Sequence, residues 1–204
     1  MILSEREVKI MIYSLEMLRQ KYSGYANPDD KIYRLVKSDK LFPISKGLYE
    51  DDRSTSGQYL ASSIYGPSYL SFDYALSYYG LIPEAAFVYT SATFEKKKKK
   101  IYTNMFGTFT YADVPANIFP LGIKLVESDG YIMHIASPEK ALCDKLYSLP
   151  PVKNQKELRT LLFDNLRIDA DAFTQLDVDD IISLSEQYKS NNVRALAKLI
   201  RRNA

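Results

Sequence analysis

Apolar residues recur at two different periods along this chain, and the change of period divides it. Near the N-terminus Val8, Met11, Ile12, Leu15, Leu18 and Tyr22 stand three or four apart, the spacing that places side chains on one helical face. Ser4 and Glu7 have capping-box spacing, in which the hydroxyl takes a free amide of the first turn and the acid reaches back to the cap. The pattern predicts a first helix of about five turns, ending before Ser23-Gly24. Asn27-Pro28-Asp29-Asp30 then signals a second helix: a capping side chain, a proline where no amide is needed, and acids at the positive end of the dipole. On a wheel of about 100° per residue, Ile32, Leu35 and Val36 fall on one side of it, and Lys31, Arg34 and Lys37 on the other. LFPI and LYE follow as two short strands around the basic turn Ser45-Lys46-Gly47, and a helix followed by a basic hairpin is how a winged-helix module ends.

Polar DDRSTSGQ, from Asp51 to Gln58, reads as a linker or domain edge. Beyond it Tyr59–Ile64 predicts a short helix closed by Gly66-Pro67, and Ser71 is placed to cap another whose Phe72, Ala75, Leu76 and Tyr79 share a face. The period then shortens. FVYTSAT, IYTNMFGTFTYADV and IKLVESDGYIMHIA are strand-like, with Asp129-Gly130 as a hairpin turn, and they predict an antiparallel or mixed sheet. The lysine run Lys96–Lys100 falls between two strands, as a loop or strand mouth that is either solvated or faces an anion. After Pro150-Pro151 the helical period returns in KELRTLLFDNL, ADAFTQL, DVDDIISLSEQYK and NNVRALAKLIRR. The expected architecture is α+β: a winged-helix-like module over residues 1–52, then residues 53–204 with a sheet, packed helices and a helical C-terminus.

Composition adds little to this picture. The chain has 204 residues and a net charge of +2, so attraction to nucleic acid has to come from local clusters of Lys and Arg. No apolar run has membrane-spanning length, and MILSEREVKIMIYS acquires acids where a signal peptide needs a basic patch and an apolar core, so a cytoplasmic location and no membrane partner are expected. One cysteine, Cys143, and one histidine, His134, supply neither an internal disulfide nor a usual zinc set. No metal or cofactor is expected.

The stretch IASPEKALCDKLY concentrates chemical side chains, yet local structure accounts for them. Ser137-Pro138-Glu139 repeats the cap, proline and first-turn acid of a helix start. Ala141, Leu142, Lys145 and Leu149 predict a sheet-facing side, Cys143 reads as a small apolar filler, and Lys140 with Asp144 as a weak i, i+4 pair. Among enzyme readings, Glu95 and Lys97 two apart in a strand are the acid and lysine of a metal-dependent nuclease, with Asp73 or Asp113 as the second acid. No glycine-rich phosphate loop occurs, so phosphoryl transfer has no cradle. The stripe Lys31, Arg34, Lys37 with Lys46 is either a solvated face or a surface for DNA phosphates and guanine edges. Lys97 and Lys99 in the lysine run, and Arg194, Lys198, Arg201 and Arg202 on the last helix, are secondary candidates, while the tyrosines read as core and sheet packing. A protein–protein adaptor without nucleic-acid affinity is the remaining class.

Three stretches in order, KIYRLVKSDKLFPISKGLYE, SYLSFDYALSYYGLI and IASPEKALCDKLY, resemble the AbiEi-type antitoxin family of bacterial type IV toxin–antitoxin systems. Gly47-Leu48-Tyr49 corresponds to the family's wing-closing pattern, and Pro138, Glu139, Lys140 and Ala141 to its PEKA element, with Asp144 on the same helix. The resemblance implies a reduced winged-helix domain that binds operator DNA and represses the operon. It also implies an α+β antitoxin domain that counteracts a nucleotidyltransferase-like toxin in abortive phage infection, without a stable complex being assumed and without catalysis. A full helix-turn-helix needs a further helix, for which Ser23–Asn27 is too short. Either the long first helix breaks near Ser14 or the module is abbreviated.

Overall fold

The predicted first helix breaks at Ser14. Ile12–Ser14 is a strand, β1, and α1 (Leu15–Lys21) starts after it because the Ser14 hydroxyl accepts from the Met17 amide at 3.2 Å. A single five-turn helix is therefore wrong here. Ile12 and Tyr13 pair with Glu50 and Tyr49 of a distant strand, and that pairing overrides the helical spacing they share with Leu15 and Leu18. The computed structural model describes residues 12–128 and 130–201, so the Ser4–Glu7 capping box, Val8, Met11, Asp129 and Arg202 lie outside the described residues.

The second helix forms as its sequence dictates. In α2 (Pro28–Lys37) the Asn27 side chain accepts from the amides of Asp29 and Asp30, and Ile32 is buried. β2 (Phe42–Ser45) and β3 (Leu48–Glu50) flank the Lys46-Gly47 turn, where Gly47 takes φ +76°, a conformation glycine adopts freely. With β1 they make an antiparallel sheet in the order β1-β3-β2, and Tyr13, Leu18, Ile32 and Leu41 form a small core beneath it.

The polar segment after β3 is held in place along its length. Glu50 accepts from the amides of Asp51 and Asp52, the hydroxyls of Thr55 and Tyr131 lie 3.0 Å apart, and Gly57 is buried. A 3-10 turn (Gly57–Tyr59), α3 (Ala61–Ile64), β4 (Tyr69–Leu70) and α4 (Phe72–Tyr78) follow. β5 (Val88–Thr93), β6 (Lys100–Asn104), β7 (Gly107–Asp113), β8 (Ile123–Ser128) and β9 (Tyr131–Ala136) complete a six-stranded mixed sheet ordered β6-β7-β5-β4-β9-β8. The β5–β7 and β4–β9 pairs are parallel and the others antiparallel. The 3-10 turn and α3 cover one face: Tyr59 stacks on Tyr131 at 5.2 Å, and the Tyr111 hydroxyl donates to the Ala61 carbonyl at 2.7 Å. On the other face α4 packs on β5, beside α5 (Pro138–Tyr147).

The C-terminal period resolves into α6 (Gln155–Arg159), a wider π turn (Thr160–Asn165), α7 (Ala170–Thr174), α8 (Val178–Gln187) and α9 (Asn191–Arg201), with α8 and α9 packed against α5. Among the described residues no helix is long and apolar enough to cross a membrane. The N-terminal unit is fastened to the main body. Phe42 and Ile44 belong to the main core, Phe42 meets Phe106 edge to face at 6.4 Å, and the Tyr131 hydroxyl donates to Glu50 at 2.9 Å.

Gly57 marks where the crossing segment lies tight on the sheet: a Cβ there would lie 2.4 Å from Tyr89 Cε2 and 2.8 Å from the Phe106 carbonyl oxygen. Gly57→Ala is therefore expected to lower unfolding stability by about 1–3 kcal/mol in urea titration. Gly24→Ala, where a Cβ meets nothing within 4 Å, is expected to change it by less than about 0.5 kcal/mol.

Candidate nucleic-acid interface and buried charge cluster

Arg34 and Lys37 project from the exposed side of α2, and Lys46 is exposed at the tip of the β2–β3 turn. Lys31 is only half-buried rather than fully outward, because its ammonium sits 4.8 Å from the centre of the Tyr25 ring. Lys37 lies similarly over Tyr33, at 5.6 Å. The tyrosines are expected in cores, yet Tyr33 is 61% exposed and Tyr25 52%, so this surface is both basic and aromatic. Tyr33 and Lys37 are one turn apart, and that spacing was the available signal. At the start of α2, Asp29 forms a two-pronged ion pair with Arg19 of α1, at 2.8 and 2.9 Å. The guanidinium holds the Asp29 carboxyl below the usual carboxylate range and offsets an acid that would repel phosphate.

The secondary candidates lie elsewhere. Arg194, Lys198 and Arg201 are exposed along α9, whose Val193, Leu196 and Ile200 are buried, and Arg194 and Lys198 line a cleft of about 520 Å³ with Lys153 and Asn154. Glu95 and Lys97 are in a loop, not in a strand as the nuclease reading required. Both have left-handed backbones, φ 55° and 61°. The candidate second acids are already engaged. Asp113 accepts from the Thr93 hydroxyl at 2.6 Å and from the Lys97 amide at 2.7 Å, and Asp73 pairs with Lys145 at 2.7 Å. Among the described residues no three His, Cys, Asp or Glu side chains are grouped to hold a metal ion.

The PEKA helix departs most from its sequence reading. One buried side is expected, yet Glu139 to Asp144 are all buried, and the Lys140–Asp144 pair that the spacing predicts forms with no exposed side-chain surface. Helices lie on both sides: α4 to one side, α8 and α9 to another. Ser137 caps α5 as expected, through the Lys140 amide. Lys140 Nζ donates to Asp144 at 2.8 Å and to the Tyr188 hydroxyl at 2.7 Å. Asp144 also accepts from the hydroxyls of Tyr188, Tyr69 (3.0 Å) and Ser71 (2.7 Å). Ser71 thus serves Asp144; it makes no cap bond to α4, contrary to its sequence position. Burial pulls the Lys140 ammonium below its ordinary value, against the opposing pull of Asp144. Burial also raises the Cys143 thiol, which suits a filler and not a nucleophile.

Two neighbours extend this cluster. Glu139 accepts from the amide of Asp177, the residue that caps α8. The buried Asn192 donates to the carbonyls of Leu146, Leu149 and Pro150 and accepts from the Val152 amide, tying the end of α5 to α9. Neither was legible in the sequence, since the partners lie about 40 residues apart. No protein-family model matches the chain, and no curated protein sequence matches it.

Removing Lys140 strands a buried carboxylate. Lys140→Met is expected to cost about 3–5 kcal/mol of unfolding free energy, and adding Asp144→Leu to recover part of it; a double-mutant cycle in urea reads both. The Tyr69 and Tyr188 phenols are pushed far above their ordinary value of 10.0, first by burial and then by Asp144. They stay protonated in the fold while the unfolded chain ionises, so their contribution is full below pH 10 and is lost as pH rises beyond it. Lys140 acts in the opposite sense, but only up to its unfolded value of 10.5. Stability is therefore expected to fall above about pH 10.5, measured as the urea midpoint against pH.

Proposed function

We propose that this protein is a DNA-binding antitoxin and autorepressor of the AbiEi type, without catalysis, whose partners are its operator DNA and a nucleotidyltransferase-like toxin. The observation that carries the reading is the N-terminal arrangement: α1, a turn and α2 packed on a three-stranded sheet in the order β1-β3-β2, with Lys46 at the hairpin tip. This order of elements supports a winged-helix-like reading of the N-terminal unit. The break at Ser14 supports it, because α1 then fills the place of the helix that precedes the recognition helix. α2 presents Tyr33, Arg34 and Lys37 outward, a set able to reach phosphates and base edges. The PEKA element, in this reading, is the framework of the antitoxin domain: Glu139, Lys140 and Asp144 hold α5 to the C-terminal helices.

Arg34→Ala with Lys37→Ala is expected to weaken binding to the DNA upstream of the gene and to lower the slope of log affinity against log salt by about two. Fluorescence anisotropy across a salt series measures this. Unaltered affinity and slope would remove α2 from the interface and with it the proposed DNA role.

A further inference from the structure

β6 is an edge of the six-stranded sheet, so the outward half of its backbone polar groups has no strand to pair with among the described residues. Its far end is covered, since the Asn104 side chain donates to the Ile44 carbonyl of β2 at 2.8 Å. From Lys100 to Thr103 the strand is open: Lys100 and Thr103 are exposed and Ile101 is 71% exposed. Ile101 lies opposite Thr110, and Thr110 opposite Thr90, and these three line a cleft of about 510 Å³. Phe72 and Asp73 of α4, Lys145 of α5 and Leu149 just beyond it also line it.

Cations crowd the open end of β6. Lys97, Lys98, Lys99 and Lys100 are all exposed, while Lys96 is turned aside onto the Gly66 carbonyl at 3.1 Å and the Tyr65 ring at 5.2 Å. The Asp113 carboxylate holds the Lys97 amide, so the lysines leave a fixed loop.

We propose that the β6 edge and its cleft dock an extended acidic segment of a partner protein, added to the sheet as a further strand. Unpaired backbone amides and carbonyls are matched by another polypeptide backbone, and alternate side chains of an added strand face one side. On that side an apolar residue meets Ile101 and Leu149, and acids between apolar positions reach Lys99 and Lys100. Nucleic acid fits less well: a phosphodiester has no N–H for the edge carbonyls, Asp73 stands in the cleft, and its aromatic rings, Phe72 and Tyr111, are buried. A second copy of this edge would bring the same positive charge to the interface. The inference is independent of the α2 contacts.

A fluorescein-labelled peptide of about twelve residues alternating glutamate and valine, and its lysine-for-glutamate counterpart, test this by anisotropy with the full chain. Only the glutamate peptide is expected to bind. Lys99→Glu with Lys100→Glu is expected to weaken it by at least about tenfold and Ile101→Glu by about fivefold, with unchanged melting because all three residues are exposed. Arg34→Ala with Lys37→Ala should leave peptide binding intact. Absence of binding, equal binding of the lysine peptide, or insensitivity to these substitutions overturns the proposal. Displacement by duplex DNA of equal charge also overturns it, and assigns the lysines to nucleic acid.

Discussion

The wholly buried Lys140–Asp144 pair is the constraint around which the main body is arranged. A charge taken out of water has to be matched in full, and Asp144 is matched by Lys140 and by hydroxyls from β4, the start of α4 and the end of α8. Each donor therefore has one acceptable place. The sheet, α4 and the C-terminal helices can come together around α5 only in the arrangement that brings Tyr69, Ser71 and Tyr188 to one carboxylate. Gly122 belongs to the same constraint: a Cβ there would lie 3.0 Å from Lys140 Cβ, and its carbonyl receives the Ser137 amide at the start of α5.

A second polar centre performs the same service between the N-terminal unit and the sheet. Glu50 ends β3 with no exposed surface, and it accepts from two amides of the crossing segment and from Tyr131 of β9. Burial raises its carboxyl above the usual value despite those bonds. Together with Phe42 and Ile44, which reach into the main core, it fixes the hairpin that carries Lys46. The basic and aromatic side of α2 is thus presented from a small core fastened to the main body.

Cations at the periphery follow a different logic from those inside. Arg34, Lys37, Lys46, Lys97 to Lys100 and the outer side of α9 all keep their charge in water, where it costs little and acts at a distance. Among the described residues Lys140 is the exception, and its surroundings show what burying a lysine requires: a carboxylate and two tyrosines, Tyr188 and Tyr69, whose rings lie at 5.0 and 5.5 Å.

Local signals in the sequence determined most elements by themselves: the Asn27 and Ser137 caps with their prolines, the Lys46-Gly47 turn, the alternation of β5 to β9 and the amphipathic α9. These depend on contacts within a few residues, where spacing and capping chemistry decide. The tertiary structure decided the rest. It turned Ile12–Ser14 into a strand because a partner 38 residues away at Glu50 competes with the next helical turn, and it exposed Tyr33. Above all, it sent Lys140 and Asp144 into the core. A helical i, i+4 pair looks identical whether solvated or buried. The difference lies in Tyr69, Ser71 and Tyr188, which are 75, 73 and 44 residues from Asp144 in the chain and meet it only when the sheet and helices close.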